Sequence, residues 1–194
     1  MSDPAPRILA FAGSLRTGSY NKKLVTIAGE AARAAGALVT YIDLRDFPMP
    51  IFDEDIESEH GLHPNARKLQ GIMLENDGFL IACPEYNSSI TAVLKNTIDW
   101  TSRGFPGQTP LACYAGKVVG LMSASPGALG GLRGLVTVRS ILGNISCIVI
   151  PEQIAVPKAH ELFQEDGSLK DAGLQAGVAR VGQRVAGVIS KLKY

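Results

Sequence analysis

The chain has 194 residues, of which 46% are hydrophobic, and its 19 basic and 18 acidic side chains leave a net charge of +1. No apolar run approaches the ~20 residues that cross a bilayer, so membrane insertion is not expected. No basic block is present that could follow a nucleic-acid backbone, so nucleic-acid binding is not expected either.

The length suits one domain with a substantial core, and we expect residues 1–194 to form a single domain. The N-terminal segment MSDPAPR carries an acidic residue and two prolines where a signal peptide has basic residues followed by an apolar stretch. A soluble, cytoplasmic protein is therefore expected. Its three cysteines are odd in number and far apart, which indicates buried, reduced thiols rather than disulfides or metal ligands. They are Cys83, Cys113 and Cys147.

Five short apolar runs alternate with helical patterns along the chain. The runs are Arg7–Ala12, Ala37–Asp43, Gly78–Cys83, Lys117–Met122 and Cys147–Ile150. Unbroken apolar runs are typical of strands in a parallel sheet that is buried on both faces. The alternation therefore predicts an α/β fold, in which a doubly wound, five-stranded parallel sheet lies between two layers of helices.

The C-terminal stretch has the longest helical stripe. Its apolar residues recur at spacings of three and four: Leu174, Val178, Val181, Val185, Val188 and Leu192. Such a stripe can cover the sheet of its own chain or pair with a partner helix, and the first use is the more common one.

The loop after the first predicted strand carries several hydrogen-bond donors. It runs from Gly13 to Asn21 and includes the side chains of Ser14, Arg16, Thr17 and Ser19. With the free N–H groups of a helix start, these side chains can bind a phosphate monoester. Neither the Rossmann nor the P-loop phosphate motif occurs in the chain. The alternative is a capped helix, with Ser19 or Asn21 as the cap and Arg16 in solvent.

The loop after the third predicted strand also carries candidate ligand groups. Pro84 ends the strand, and Tyr86 with Asn87 can flank a flat heterocycle and bond to its edge. The alternative makes Tyr86 a residue at the boundary between loop and core. In that alternative, Asn87 and Ser88 cap the following helix.

In these loops the sequence resembles the NADPH-dependent FMN reductases, which include quinone and chromate reductases of the flavodoxin-like fold. The pattern G-S-L-R-x-x-S-x-N-x-x-L matches residues 13–24, and P-E-Y-N-x-S-x-x-x-x-L-K-N-x-I-D-W matches residues 84–100. A Ser-rich turn followed by Gly-Gly matches residues 123–131, and residues 162–171 resemble the last loop of the family. Thr91 and Ala92 depart from the family pattern, and the stretch Gly104 to Ala115 is longer than usual.

The resemblance implies a role for each loop. The FMN phosphate would be held by Ser14, Arg16, Ser19 and Asn21. The isoalloxazine would be bordered by Pro84, Glu85, Tyr86 and Asn87. Its pyrimidine end or the ribityl chain would meet Ser123, Ala124, Ser125 and Gly127. No catalytic acid or base is required, because the bound flavin carries the chemistry.

The resemblance also implies substrates and partners. NADPH or NADH would donate hydride, and a small acceptor would receive it in a ping-pong reaction: a quinone, free flavin, azo compound or metal oxyanion such as chromate. A homodimer or homotetramer is expected, because the region around Trp100, Arg103 and Phe105 contributes to subunit contacts in this family.

Two alternative functions stay open at this point. A flavodoxin-type electron carrier has the same fold, although such carriers are usually strongly acidic and this chain is balanced. A scaffold protein could keep the fold without the chemistry. The acidic segment Phe52–Pro64 holds His60 and His63 among five carboxylates, and we expect a solvated loop there rather than a metal site.

Overall fold

The computed structural model describes residues 4–105, 107–109 and 111–193. The strands are β1 (Arg7–Ala12), β2 (Leu38–Tyr41), β3 (Gly78–Ala82), β4 (Glu85–Tyr86), β5 (Ser89–Ile90), β6 (Val118–Ala124) and β7 (Ile148–Val156). The helices are α1 (Tyr20–Ala34), α2 (Glu54–His60), α3 (Pro64–Leu74), α4 (Ala92–Thr101), α5 (Leu132–Asn144), α6 (Ala159–Leu162) and α7 (Ala172–Leu192).

Five of the strands form one parallel sheet in the order β2-β1-β3-β6-β7. The chain runs from β1 outward to β2 and then crosses back to β3, so the strand order reverses between β1 and β3. This is the flavodoxin-like arrangement, in which ligands bind beyond the carboxyl ends of the strands at the reversal point. The predicted doubly wound sheet is confirmed.

Helices cover both faces of the sheet and bury a separate apolar cluster on each. On one face, Ile8 and Leu80 pack beneath α1 and α7. On the other, Leu9 and Phe79 belong to a cluster with residues of α3, α4 and α5. The stripe of α7 packs into the first cluster from Leu174 to Val188, so its predicted packing on the sheet of the same chain is confirmed for these residues. Leu192, the last member of the predicted stripe, is 56% exposed.

Two strands extend beyond their predicted ends. β6 continues to Ala124, so Ser123 and Ala124 lie in the sheet and not in the following loop. β7 extends to Val156, beyond the predicted end at Ile150. Pro151 indicated a strand end, but it lies on an edge strand where the pairing with β6 shifts register. A bulged edge strand tolerates proline because the missing N–H is not needed there.

The prediction of a solvated loop over residues 52–64 was wrong, because the segment contains α2 and the first residue of α3. The Asp53 carboxylate caps α2 by accepting a hydrogen bond of 2.8 Å from the Asp55 N–H. The acidic residues in its first turn favour helix formation, since negative charge is stabilised at a helix N-terminus. A further ion pair of 2.8 Å joins Glu57 to Arg103, at the end of α4.

The three cysteines are free thiols, as predicted. Cys83 and Cys113 are buried, and Cys147 is partly buried. Burial raises the pKa of Cys113 to about 11 and that of Cys147 to about 12, so these thiols stay protonated at neutral pH.

Within the described residues, no helix combines the length and apolar character of a bilayer-spanning segment. The same residues contain no group of three or more His, Cys, Asp or Glu side chains that could hold a metal ion.

Candidate functional site

A polar pocket lies at the carboxyl ends of β1, β3 and β6, where three loops meet. Its lining residues are Ser14, Arg16, Ser19, Tyr20, Asn21, Pro84, Glu85, Tyr86, Ala124, Ser125 and Pro126. The sequence-predicted site residues all line this pocket, except Asn87, Ser123 and Gly127. Its enclosed volume is about 70 Å³, so the pocket holds a small group and a larger ligand would extend over the open surface beside it.

The first loop leaves hydrogen-bond donors facing this pocket. Ser19 occupies the N-cap position of α1, yet its side chain makes no capping hydrogen bond and is 4% exposed. The N–H groups in the first turn of a helix have no partners within the helix, and the first turn of α1 carries no acidic residue. These features, with Arg16 at the rim, suit an anion such as a phosphate monoester.

Two of the predicted ligand side chains hold neighbouring loops together. The Asn21 amide donates to the Ala124 carbonyl at 2.8 Å and accepts from the Ala124 N–H at 3.0 Å. The buried Ser123 hydroxyl donates to the Cys83 carbonyl at 2.7 Å. Their side chains therefore position the loops after β1, β3 and β6 relative to one another.

The motif after β3 forms a tight hairpin. β4 and β5 pair in antiparallel fashion through Tyr86 and Ser89, which leaves Asn87 and Ser88 as a two-residue turn. The φ angles of Asn87 and Ser88 are 51° and 65°, and two positive φ angles define a type I′ turn. The alternative interpretation, in which Asn87 and Ser88 cap the next helix, is therefore wrong.

Thr91 caps that helix instead. Its hydroxyl oxygen accepts from the Leu94 N–H at 3.3 Å and donates to the Gly13 carbonyl at 2.7 Å. One side chain thus begins α4 and connects it to the first loop. The departure from the family pattern at position 91 is consistent with this local task.

The hairpin is also fixed to the start of α5. The Glu85 carboxylate accepts from the Gly134 N–H at 3.0 Å, and Arg133 donates to the Ser88 hydroxyl at 3.0 Å. Gly131 precedes α5 with a φ of 91°, and a Cβ atom there would lie 1.9 Å from the Ser123 hydroxyl. The Gly-Gly pair in the family pattern is therefore required by close packing beneath the site.

Sequence reasoning missed one lining residue, Tyr20, and included Pro126 only as part of the turn from Ser123 to Gly127. The Tyr20 ring stacks on Phe163 with their centroids 5.5 Å apart, so the last loop of the chain supports one wall of the pocket. No local pattern indicates this contact, because Phe163 follows β7 near the other end of the chain. Tyr86, by contrast, is 57% exposed at the rim, where its ring can face a flat ligand.

Larger cavities lie elsewhere. One of about 270 Å³ lies near Asp77 and Lys117, at the amino ends of the strands. Another of about 470 Å³ lies between α1 and residues 165–168. The smaller pocket is the candidate site, because it lies where the strand order reverses and gathers convergent polar groups from three loops.

The residues present fit FMN. The first loop offers donors for its single phosphate, and the exposed ring of Tyr86 stands at the open side where a flat isoalloxazine would lie. Among the described residues that line the pocket, Glu85 is the one carboxylate, and its hydrogen bond to the start of α5 keeps it from opposing the phosphate.

Comparison with known proteins gives consistent matches. Residues 6–161 match the family described as NADPH-dependent FMN reductase. A quinone reductase of Pseudomonas putida is 35% identical over 162 residues, which are 82% of this chain and 82% of that protein. An NAD(P)H:quinone oxidoreductase of Solanum tuberosum is 36% identical over 142 residues, which are 72% of this chain and 69% of that protein.

Among solved structures, the flavoenzyme NAD(P)H:(acceptor) oxidoreductase of Paracoccus denitrificans matches with a TM-score of 0.80. The match covers 96% of this chain and 98% of that one at 23% sequence identity, and at that identity it shows the shared fold.

Proposed function

This chain belongs to the NADPH-dependent FMN reductase family, and on that premise we propose that it is a quinone reductase that obtains electrons from NADPH or NADH. It is an oxidoreductase, and its cofactors are FMN and a reduced nicotinamide nucleotide. When bound, FMN accepts hydride at its N5 atom and supplies the electrons that reduce the acceptor.

One observation carries the placement of FMN in this proposal. Ser19 stands at the N-cap of α1 with its hydroxyl uncommitted to capping, at the first helix turn and beside Arg16. A helix start normally uses such a hydroxyl for its own N–H groups. Leaving it free fits a site in which the phosphate of FMN makes those bonds.

The open side of the pocket supports a ping-pong order of events. The enclosed part is too small for a whole flavin, and Tyr86 is exposed at its edge. An isoalloxazine placed there would keep one face accessible, to the nicotinamide first and to the acceptor after it has left. Quinones are the proposed acceptors because the curated relatives are named for them. Free flavin, azo compounds and chromate are further candidates of the same kind.

A homodimer or homotetramer is part of the proposal. Of the residues expected near a subunit contact, Trp100 is fully buried and donates to the Pro50 carbonyl at 2.8 Å. Arg103 pairs with Glu57, and Arg67 lies 3.6 Å from the centre of the Phe105 ring. These contacts fix the side chains around the end of α4, so a partner subunit would pack against an ordered surface. The free thiols suit a reducing compartment, so we propose that the enzyme works in the cytoplasm.

The second candidate is a flavodoxin-type carrier that docks on protein partners. The balanced charge of +1 argues against it, since such carriers use a strong acidic field for docking.

Anaerobic mixing of the FMN-loaded protein with NADPH tests the choice between the two. We expect loss of the flavin absorbance band within seconds, and its return when a benzoquinone is added. A band that persists with both NADPH and NADH, but is lost with dithionite, would contradict the reductase and favour the carrier.

A further inference from the structure

A charged network lies on the outer side of the first loop. The Asp43 carboxylate accepts hydrogen bonds from Lys22 Nζ at 2.6 Å and from Arg45 Nη2 at 2.9 Å. Arg45 Nη1 in turn donates to the Thr17 hydroxyl at 2.9 Å. The network therefore connects the end of β2 to the tip of the first loop and to the first turn of α1.

The base of this network is rigid. Asp43 caps a one-turn 3₁₀ helix, Leu44–Asp46, by accepting from the Arg45 N–H at 3.0 Å. Leu44 and Phe47 on either side of Arg45 are 3% and 6% exposed and belong to the apolar core. Arg45 therefore extends toward Thr17 from a backbone that core packing holds in place.

Thr17 connects this network to the loop that lines the pocket. Thr17 is exposed and lies between Arg16 and Ser19, which both line the pocket. Among the residues that the structure describes, the Thr17 side chain is bonded to Arg45 alone, so this bond is what orients the loop tip. A loop held in its binding shape before the ligand arrives loses less entropy on binding.

This inference rests on the proposed function: we infer that Asp43 and Arg45 are positioning residues for the FMN phosphate. They hold Thr17 and the start of α1 in the conformation that binds the phosphate. Neither the Asp43 carboxylate nor the Arg45 guanidinium needs to contact the cofactor. Within the described residues, neither Asp43 nor Arg45 lines the pocket itself.

The replacement Asp43→Asn separates positioning from simple charge. It removes the carboxylate that pairs with Lys22 and Arg45, so the net charge beside the first loop becomes more positive. Attraction by charge alone would then tighten FMN binding. Loss of positioning would weaken it, because Arg45 and Lys22 lose their anchor. Asparagine can still accept from the Arg45 N–H, so the 3₁₀ helix is expected to remain.

Riboflavin provides the second half of the test, since it is FMN without the phosphate. Dissociation constants of both ligands for the apoprotein are measured by quenching of flavin fluorescence. We expect Asp43→Asn and Arg45→Gln each to weaken FMN binding about five- to twentyfold, and to leave riboflavin binding unchanged. The loss is at or below that of one direct charge-assisted hydrogen bond, because both residues act through the loop. The preference for FMN over riboflavin then falls by the same factor.

Arg33→Gln is the matched control. Arg33 also forms an ion pair beside β2, with Glu30 at 2.6 Å, but it lies at the far end of α1. The control is expected to keep the wild-type preference for FMN. Circular dichroism and thermal unfolding of all variants establish that they fold.

Each outcome decides the matter. Tighter FMN binding by Asp43→Asn, or equal losses for FMN and riboflavin, would overturn the inference. The inference would also be overturned if the variants kept the wild-type preference for FMN over riboflavin but changed the ratio of the KM values for NADPH and NADH. That result would place the network at the nicotinamide nucleotide. A wild-type protein that binds FMN no better than riboflavin would contradict the proposed FMN site itself.

Discussion

Arg16 is the cation at the rim of the pocket, and among the described residues its guanidinium makes no hydrogen bond or ion pair. We expect Arg16→Ala to fold normally and to weaken FMN binding by about 1.5–3 kcal/mol, the scale of a charge-assisted hydrogen bond. Fluorescence titration of the apoprotein measures this loss. Arg180→Ala, which removes an exposed arginine of α7, is the control. An unchanged dissociation constant for Arg16→Ala would place the phosphate elsewhere.

Tyr86 separates binding from turnover. Its side chain is 57% exposed, so truncation removes little packing and the phosphate contacts should keep FMN bound. Hydride transfer needs reacting atoms about 3–3.5 Å apart, and a small misplacement of the ring can cost on the order of a hundredfold in rate.

We therefore expect Tyr86→Ala to retain FMN and to slow its anaerobic reduction by NADPH about ten- to a hundredfold, as measured by stopped-flow absorbance. Tyr86→Phe, which keeps the aromatic ring, should react at close to the wild-type rate. If Tyr86→Ala is reduced as fast as the wild type, the ring plays no part in orientation.

The hairpin of β4 and β5 depends on two residues in the left-handed region. A β-branched side chain is strongly disfavoured at positive φ, so Asn87→Val should lower the free energy of unfolding by about 1–2 kcal/mol. Ser88→Gly removes the strain at the neighbouring position and should raise it by up to about 1 kcal/mol. Urea denaturation measures both changes. Equal stability of the two variants would mean that the turn relaxes to another type at little cost.

The Asp43 network also predicts how stability depends on pH. Burial alone would raise the pKa of Asp43, but hydrogen bonds from Lys22 and Arg45 outweigh it and lower the pKa from 3.8 to about 2. Because the folded-state pKa is the lower one, the contribution is fully present above about pH 4 and is lost as the pH falls toward 2. Its upper bound is about 2 kcal/mol.

Urea denaturation of the wild type and Asp43→Asn between pH 7 and pH 2.5 measures this contribution. The wild type should be more stable by about 1–2 kcal/mol near neutrality, and the difference should narrow below pH 4. A difference that stays constant down to pH 2.5 would show that the carboxylate charge is not its source.

At the scale of the whole molecule, the site exists because the sheet is parallel. The carboxyl ends of β1, β3 and β6 meet at one edge, and the three loops that follow them come together there. Hydrogen bonds between loops, from Asn21, Thr91 and Ser123, then fix their relative positions. These bonds within the protein hold the three loops in the arrangement that forms the pocket.

The architecture also predicts which flavin is bound. One loop with hydrogen-bond donors suited to a phosphate opens onto the pocket, and the sequence contains no pyrophosphate motif of the Rossmann type. We expect the purified protein to be yellow and to release FMN on heat denaturation. Chromatography of the released flavin against FMN and FAD standards measures this, and a preparation that carries mainly FAD would contradict the single-phosphate site.

Much of the fold and of the candidate site could be predicted from the sequence. The apolar runs located all five strands of the sheet, because strands buried on both faces must be apolar throughout. The segments that line the pocket could also be located, since each is a short continuous stretch at or directly after the end of a strand. For this reason Ser14, Arg16, Ser19 and Tyr86 were predicted together and lie at one pocket.

Only the tertiary structure decided what the other polar side chains do. Asn21 and Ser123 bear the same donor groups as pocket ligands, but their side chains bond to Ala124 and Cys83, which are distant in the chain. The stack of Tyr20 on Phe163 and the bond from Arg45 to Thr17 are likewise long-range contacts. A residue's type determines which bonds it can make, whereas the partner that it meets depends on which distant segments the folded core brings within hydrogen-bond distance.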